Sequence, residues 1–251
     1  MIYRGRCNEI IFEFSLPSTP KGNIVLCEGL PGVPKQKEII SNLNKRGYSV
    51  FYPRYRGTWE SGGEFLTKSP AEDIGLLIEL LKTGSVQDLY AEKNFSVNGP
   101  IYIVGSSFGG SVALSLVGRS GIAKVVAFSP IVDFPLHNFN HTEQDLLWLK
   151  TFIRRAFHMA YRFSDENWDK MVKGELFNPK QKSTQPKNTL IVYDISDHEV
   201  DSVKIEEYSR KNNIQTIVTE SIGHLSFSKI PQEAWDKVCE FLEDFKHSTT
   251  T

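Results

Sequence analysis

Cysteine is scarce in this sequence: three residues in 251, Cys7, Cys27 and Cys239, far apart and without metal-ligand spacing. So small and scattered a set argues against a disulfide framework or a zinc site and fits a reducing compartment, so a cytoplasmic location is expected. An excess of one charge is lacking too. The 29 basic and 30 acidic residues give a net charge of -1, which removes the basic footprint that nucleic-acid binding needs. No apolar run approaches the length of a bilayer crossing, and the opening MIYRGRCNEIIFEF lacks the apolar core of a secretory leader. Repeats, low-complexity tracts and linkers are absent, so one domain over residues 1–251 is expected, with its oligomeric state open.

What is present is alternation. From Asn23 onward, NIVLCEG, YSVFYP, IYIVG, IAKVVAFS, NTLIVYD and IQTIVTE read as buried strands separated by helical periodicities. That order predicts an α/β fold: a mostly parallel central sheet flanked by helices. In PKQKEIISNLNKRG, Pro34 suits a first helical position and Gly47 a stop. In SPAEDIGLLIELLKTG, Ser69 and Glu72 have capping-box spacing and Gly84 ends the helix. Further helices are expected from Ser107, from about Asp201, and over PQEAWDKVCEFLEDF.

The alternation breaks once, over residues 131–185. There Leu146, Leu149, Ile153, Phe157 and Ala160 follow a helical period, and Ser164 caps a second short helix ending near Gly174. A helical cap inserted over the carboxyl ends of the strands is expected, with Trp148, Phe152, Phe157, Tyr161 and Trp168 mostly on its buried face. His137 and His141 are four apart, but no third ligand accompanies them and Pro135 argues against a helix there, so no metal is expected.

The chemistry concentrates in IYIVGSSFGGSVALSL. Gly105, Gly109 and Gly110 miss the dinucleotide spacing and no lysine completes a P-loop, so the stretch is not a phosphate cradle. Gly105, Ser107 and Gly109 instead make GxSxG where a strand gives way to a helix, a corner that exposes the central serine as a nucleophile. Ser106 lacks that spacing and reads as structural. An attacking hydroxyl needs a base, and the base needs a carboxylate. Among six histidines, His224 in SIGHLSF follows the last strand and precedes the final helix. The loop YDISDHEVD offers Asp194, Asp197, Glu199 and Asp201, of which Asp197 lies deepest in the turn and is preferred as the acid.

The order Ser107, Asp197, His224 resembles that of the α/β-hydrolase superfamily over most of the chain, from about Asn23 to Phe245. EGLPG resembles the family's oxyanion loop. YRGTWESGGEF is similar to the Arg-, Gly- and Ser-bearing loop of its dienelactone hydrolase, serine aminopeptidase and prolyl oligopeptidase branch. The resemblance implies an oxyanion hole of the Phe108 and Leu30 N–H groups and a serine hydrolase that cleaves a carboxylic ester without metal or cofactor. It leaves a peptidase of small peptide substrates, or an idle binding protein on the same fold, as alternatives. Glu28 departs from the family, standing where many relatives carry histidine. It is expected to point away or to pair with Arg54 or Arg56.

Overall fold

A computed structural model describes residues 1–137, 145–181 and 185–244. His141, the side chain of His137 and Phe245 lie outside the described residues. Eight strands form the main sheet: β1 (Tyr3–Cys7), β2 (Ile10–Ser15), β3 (Gly22–Cys27), β4 (Tyr48–Pro53), β7 (Ile101–Ser106), β8 (Ile122–Phe128), β9 (Thr189–Asp194) and β10 (Gln215–Thr219). A separate short hairpin joins β5 (Ser85–Gln87) to β6 (Asn94–Ser96).

The sheet order is β1-β2-β4-β3-β7-β8-β9-β10. Strands from β3 onward pair in parallel, with Val25 opposite Ile103, Val104 opposite Val126 and Ala127 opposite Ile191. β1 and β2 are antiparallel and lie before the first strand expected from sequence. Their hairpin turns on Asn8, whose φ of 53° is one that asparagine tolerates. In IIFEFS the alternation is real: Ile10, Phe12 and Phe14 are buried while Ile11 and Glu13 are half-buried.

Both faces of the sheet are covered, which is why its central strands are apolar on both sides. Ile24, Leu26, Val50, Val104, Val126 and Val192 meet α1 (Lys37–Lys45) and α8 (Gln232–Glu243). Val25, Cys27, Phe51, Ile103 and Ala127 meet α2 (Pro70–Lys82) and α3 (Phe108–Ser115) on the other face, where Ile205 of α7 (Ser202–Lys211) joins the same core. Local signals set the helix ends. Ser69, Ser164 and Asp201 each accept a backbone N–H at a helix start, an interaction worth about 1 kcal/mol. Gly47, Gly84 and Gly174 take positive φ at the stops. Pro34 is not at a first helical position, because α1 begins at Lys37 and its N-cap Gln36 lends its side chain to Glu28 instead.

The segment between β8 and β9 contains α4 (Phe134–His137), α5 (Leu146–Ala156) and α6 (Asp165–Val172). Pro135 does not prevent α4, since the first turn of a helix has no need of its N–H. Trp168, Tyr161, Leu146, Leu149 and Ile153 are buried. Trp148 and Phe152 are not: they are 48% and 36% exposed and stack on each other 5.1 Å apart, so this part of the expected buried face lies outward. Hydrogen bonds from Trp59 N to Ala160 O (2.7 Å), Arg162 N to Gly57 O (2.9 Å) and Phe65 N to Arg162 O (2.6 Å) lace the segment to the loop after β4.

The order of strands places β4 and β7 on opposite sides of β3, so the chain changes its direction of growth there and leaves a crevice at the carboxyl ends of β3 and β7. α3 fits beneath that crevice only because two positions lack a Cβ. A Cβ at Gly105 would lie 2.0 Å from Gly109 O, and one at Gly109 would lie 2.0 Å from Cys27 O. Gly109→Ala is therefore expected to force α3 off β3 and destabilise the fold by about 3 kcal/mol, read as a lowered midpoint in urea unfolding.

Candidate active site

Every residue singled out for chemistry lies at the carboxyl edge of the sheet, on the loops after β3, β7, β9 and β10. Ser107 sits between β7 and α3 with φ 57° and ψ -124°, a conformation L-residues rarely adopt. Its N–H donates to Phe128 O at 2.8 Å, and its carbonyl accepts from Ser111 N at 3.1 Å, so strand and helix hold the corner from both sides. Gly29 lies against it: a Cβ there would stand 3.2 Å from Ser107 Cβ.

Asp197 and His224, 27 residues apart, meet through Nδ1 of His224, 3.0 Å from Oδ2 and 3.2 Å from Oδ1. Asp197 Oδ1 also accepts the N–H groups of Glu199 (2.9 Å) and Val200 (3.0 Å). Burial opposes charge on this carboxylate, but the His224 hydrogen bond and charge, the Val200 N–H and the Ser129 hydroxyl outweigh it. They hold Asp197 below the usual aspartate value. The histidine loop is fixed by two serines. Ser106 Oγ donates to Leu225 O at 2.9 Å, and Ser129 Oγ accepts from Leu225 N at 3.2 Å. Ser106 is thus a brace beside the corner; Ser129, with φ 40° at the end of β8, had no motif to announce it.

Ser107 and His224 are not joined by a hydrogen bond among the described residues. Instead His224 Nε2 faces Glu199 Oε2 at 3.7 Å. Leu30, Ser107, Phe108, Ile131, Leu146, Leu149, Glu199 and Val200 line a partly open cavity of about 20 Å³. Leu30 and Phe108, whose N–H groups the resemblance assigned to an oxyanion, therefore share this space with Ser107.

Glu28 forms no ion pair with Arg54 or Arg56. Arg54 lies 3.2 Å from Glu13, and Arg56 binds Asp73 and Glu9. Glu28 folds back beneath its own loop, where Oε2 accepts from Tyr52 Oη and Gln36 Nε2, each at 2.6 Å, and Oε1 from Gly29 N at 3.2 Å. Neutral donors can satisfy a buried carboxyl in either protonation state, so the arginines are free for other partners. Burial pushes Glu28 above the usual glutamate value, against the pull of those hydrogen bonds and of Arg54.

Three aromatic residues prop the same loop. Tyr55 Oη donates to Glu28 O at 3.0 Å, Trp59 Nε1 to Gly32 O at 2.9 Å, and Tyr161 Oη accepts from Gly32 N at 2.7 Å. Tyr55 and Trp59 belong to YRGTWESGGEF, whose resemblance signalled the loop but not this contact. Arg56 and Gly57 hold the loop itself: a Cβ at Gly57 would lie 2.0 Å from Phe65 N.

No family model and no curated protein matches the chain. Solved structures do. The Pyrococcus furiosus esterase Pf2001 is 18% identical with a TM-score of 0.68, over 96% of this chain and 89% of its own. The α/β hydrolase GrgF from Penicillium sp. sh18 is 14% identical with a TM-score of 0.66, over 96% and 97%. Est1E from Butyrivibrio proteoclasticus, solved with ferulic acid bound, is 15% identical with a TM-score of 0.63, over 96% of each chain. This chain has the α/β-hydrolase fold. In that fold the ligand crevice is the edge where β3, β7, β9 and β10 end here. No helix among the described residues is long and apolar enough to cross a membrane.

Asp194, an alternative acid by sequence, is buried elsewhere in the loop. It accepts from Ser196 N (2.8 Å), Thr219 Oγ1 (2.8 Å) and Ile222 N (3.1 Å), tying β9 to the turn after β10. Burial resists its charge, but these donors prevail and bring it to about 2. Because that value is below the usual one of about 4, its stabilisation is complete above pH 4 and is lost as pH falls through about 2. Asp194→Asn is expected to lower the melting temperature at neutral pH and to flatten the decline between about pH 4 and pH 2, read by circular dichroism.

Proposed function

We propose that the protein is a serine hydrolase of carboxylic esters. The observation that carries this reading is the backbone of Ser107, held at φ 57° and ψ -124° between β7 and α3. Strain of this kind persists only where surrounding structure imposes it, and it aims a hydroxyl at the crevice. The contact of His224 with Asp197 supports the same reading, because it presents Nδ1–H to a carboxylate and leaves Nε2 as the basic atom.

In this scheme Ser107 Oγ attacks the ester carbonyl carbon while His224 Nε2 takes its proton. The carbonyl oxygen becomes an oxyanion facing the N–H groups of Phe108 and Leu30. Collapse breaks the bond to the alcohol, which leaves with the proton from His224. Water then attacks the acyl carbon and gives a proton to His224; Ser107 regains that proton as the acid departs. Asp197 holds the imidazole tautomer and stabilises its cationic form. Neither metal nor organic cofactor takes part. Ser107 Oγ and Nε2 must come within hydrogen-bond reach for the first step, a tightening that substrate commonly induces.

Residues 131–185 act as the cap, and Leu146 and Leu149 from α5 contribute apolar walls to the cavity beside Ser107. The esterase among the similar structures and the ferulic acid held by another favour ester cleavage. The peptidase reading rests on the loop resemblance alone. The three free thiols suit a cytoplasmic setting.

A fluorophosphonate probe is expected to label the wild-type protein on Ser107 and to leave Ser107→Ala unlabelled, read by intact-mass spectrometry. Turnover of p-nitrophenyl butanoate should fall at least about 10⁴-fold in Ser107→Ala or His224→Ala. A folded wild-type protein that takes no label overturns the reading and leaves a binding role for the fold.

A further inference from the structure

Four acidic residues crowd the loop after β9, and the fold engages three of them. Asp194 is saturated by Ser196, Thr219 and Ile222; Asp197 meets His224; Asp201 caps α7 by accepting from Val203 N and Lys204 N. Glu199 is different. No lysine or arginine among the described residues approaches its carboxylate, and its one charge-capable neighbour is His224 Nε2 at 3.7 Å. Its side chain is 32% exposed and lines the cavity beside Ser107, whose other walls are Leu30, Phe108, Ile131, Leu146, Leu149 and Val200.

A lone carboxylate in an apolar wall is a recognition element of one sign. It attracts a cation more strongly as a bound substrate displaces water and lowers the local dielectric, and it disfavours an anionic group at the same place. We propose that Glu199 determines the specificity of this site by pairing with an organic ammonium group on the substrate, close to the scissile carbonyl. The pairing rests on the serine-hydrolase reading above and names its substrate class: esters that carry an amine or quaternary ammonium.

The test compares isosteric pairs in wild type and Glu199→Gln. For a cation in the acyl part, p-nitrophenyl 3-aminopropanoate is set against p-nitrophenyl butanoate; for one in the alcohol, butanoylcholine against 3,3-dimethylbutyl butanoate. Wild type is expected to favour the cationic member of at least one pair by about tenfold in kcat/KM, the scale of one partly desolvated charge–charge contact, and to lose that preference as salt is raised. The ratio should fall to about one in Glu199→Gln, and the pair that responds identifies the side of the ester that carries the charge. A ratio unchanged by the substitution overturns the proposal. So does an equal change for both members of each pair, which would make Glu199 a general influence on the site and not a selector of charge. Fluorophosphonate labelling separates the two levels: labelled enzyme without cation preference overturns only the role of Glu199, whereas unlabelled, inactive enzyme overturns the hydrolase reading beneath it.

Discussion

The structure depends on a backbone-to-backbone contact that tolerates no side chain. β7, α3 and the end of β3 approach so closely that Gly105 faces the Gly109 carbonyl and Gly109 faces the Cys27 carbonyl, each 2.0 Å from where a Cβ would stand. With both positions bare, the chain turns from strand to helix within one residue, and Ser107 carries the resulting strain. The same compression brings Gly29 against Ser107 and sets the EGLPG loop beside the corner. Nearly everything else at this edge of the sheet positions groups around that point.

That positioning is done by short polar contacts between loops far apart in sequence. Ser106 and Ser129, at the ends of neighbouring strands β7 and β8, grip Leu225 from both sides and so place His224. Asp194 ties β9 to the turn that precedes His224, which fixes the distance over which Asp197 reaches it. Tyr55, Trp59 and Tyr161 support the loop that holds Leu30. Because these partners are buried or half-buried, loss of either member would strand a polar group away from water, so the edge is stiff although it is built of loops.

Two glutamates near the corner differ in how they are satisfied. Glu28 has neutral donors on both oxygens and burial that favours its neutral form, so it serves as a strut for the loop. Glu199 lines an apolar cavity with the His224 imidazole 3.7 Å away, and no lysine or arginine among the described residues forms an ion pair with it. The contrast comes from the neighbours and not from residue type.

What the sequence by itself determined is local. The strand and helix alternation from Asn23, the caps at Ser69, Ser164 and Asp201, and the glycine spacing around Ser107 each rest on residues within a few positions of one another. Backbone propensity and side-chain periodicity act over that range, so the α/β architecture was legible. The hairpin of β1 and β2 carries its own period-2 signal in IIFEFS, but only its pairing with β4 makes it an edge of the main sheet. Tertiary structure alone decided that Asp197 and not Asp194 meets His224, that Glu28 bonds Tyr52 and Gln36 in place of an arginine, that Trp148 and Phe152 face outward, and that Glu199 fronts the cavity. The physical reason is the same in each case. A side chain's partner is set by which distant loops the sheet order delivers to one edge, and four acids in one nine-residue loop look alike until their neighbours are in place.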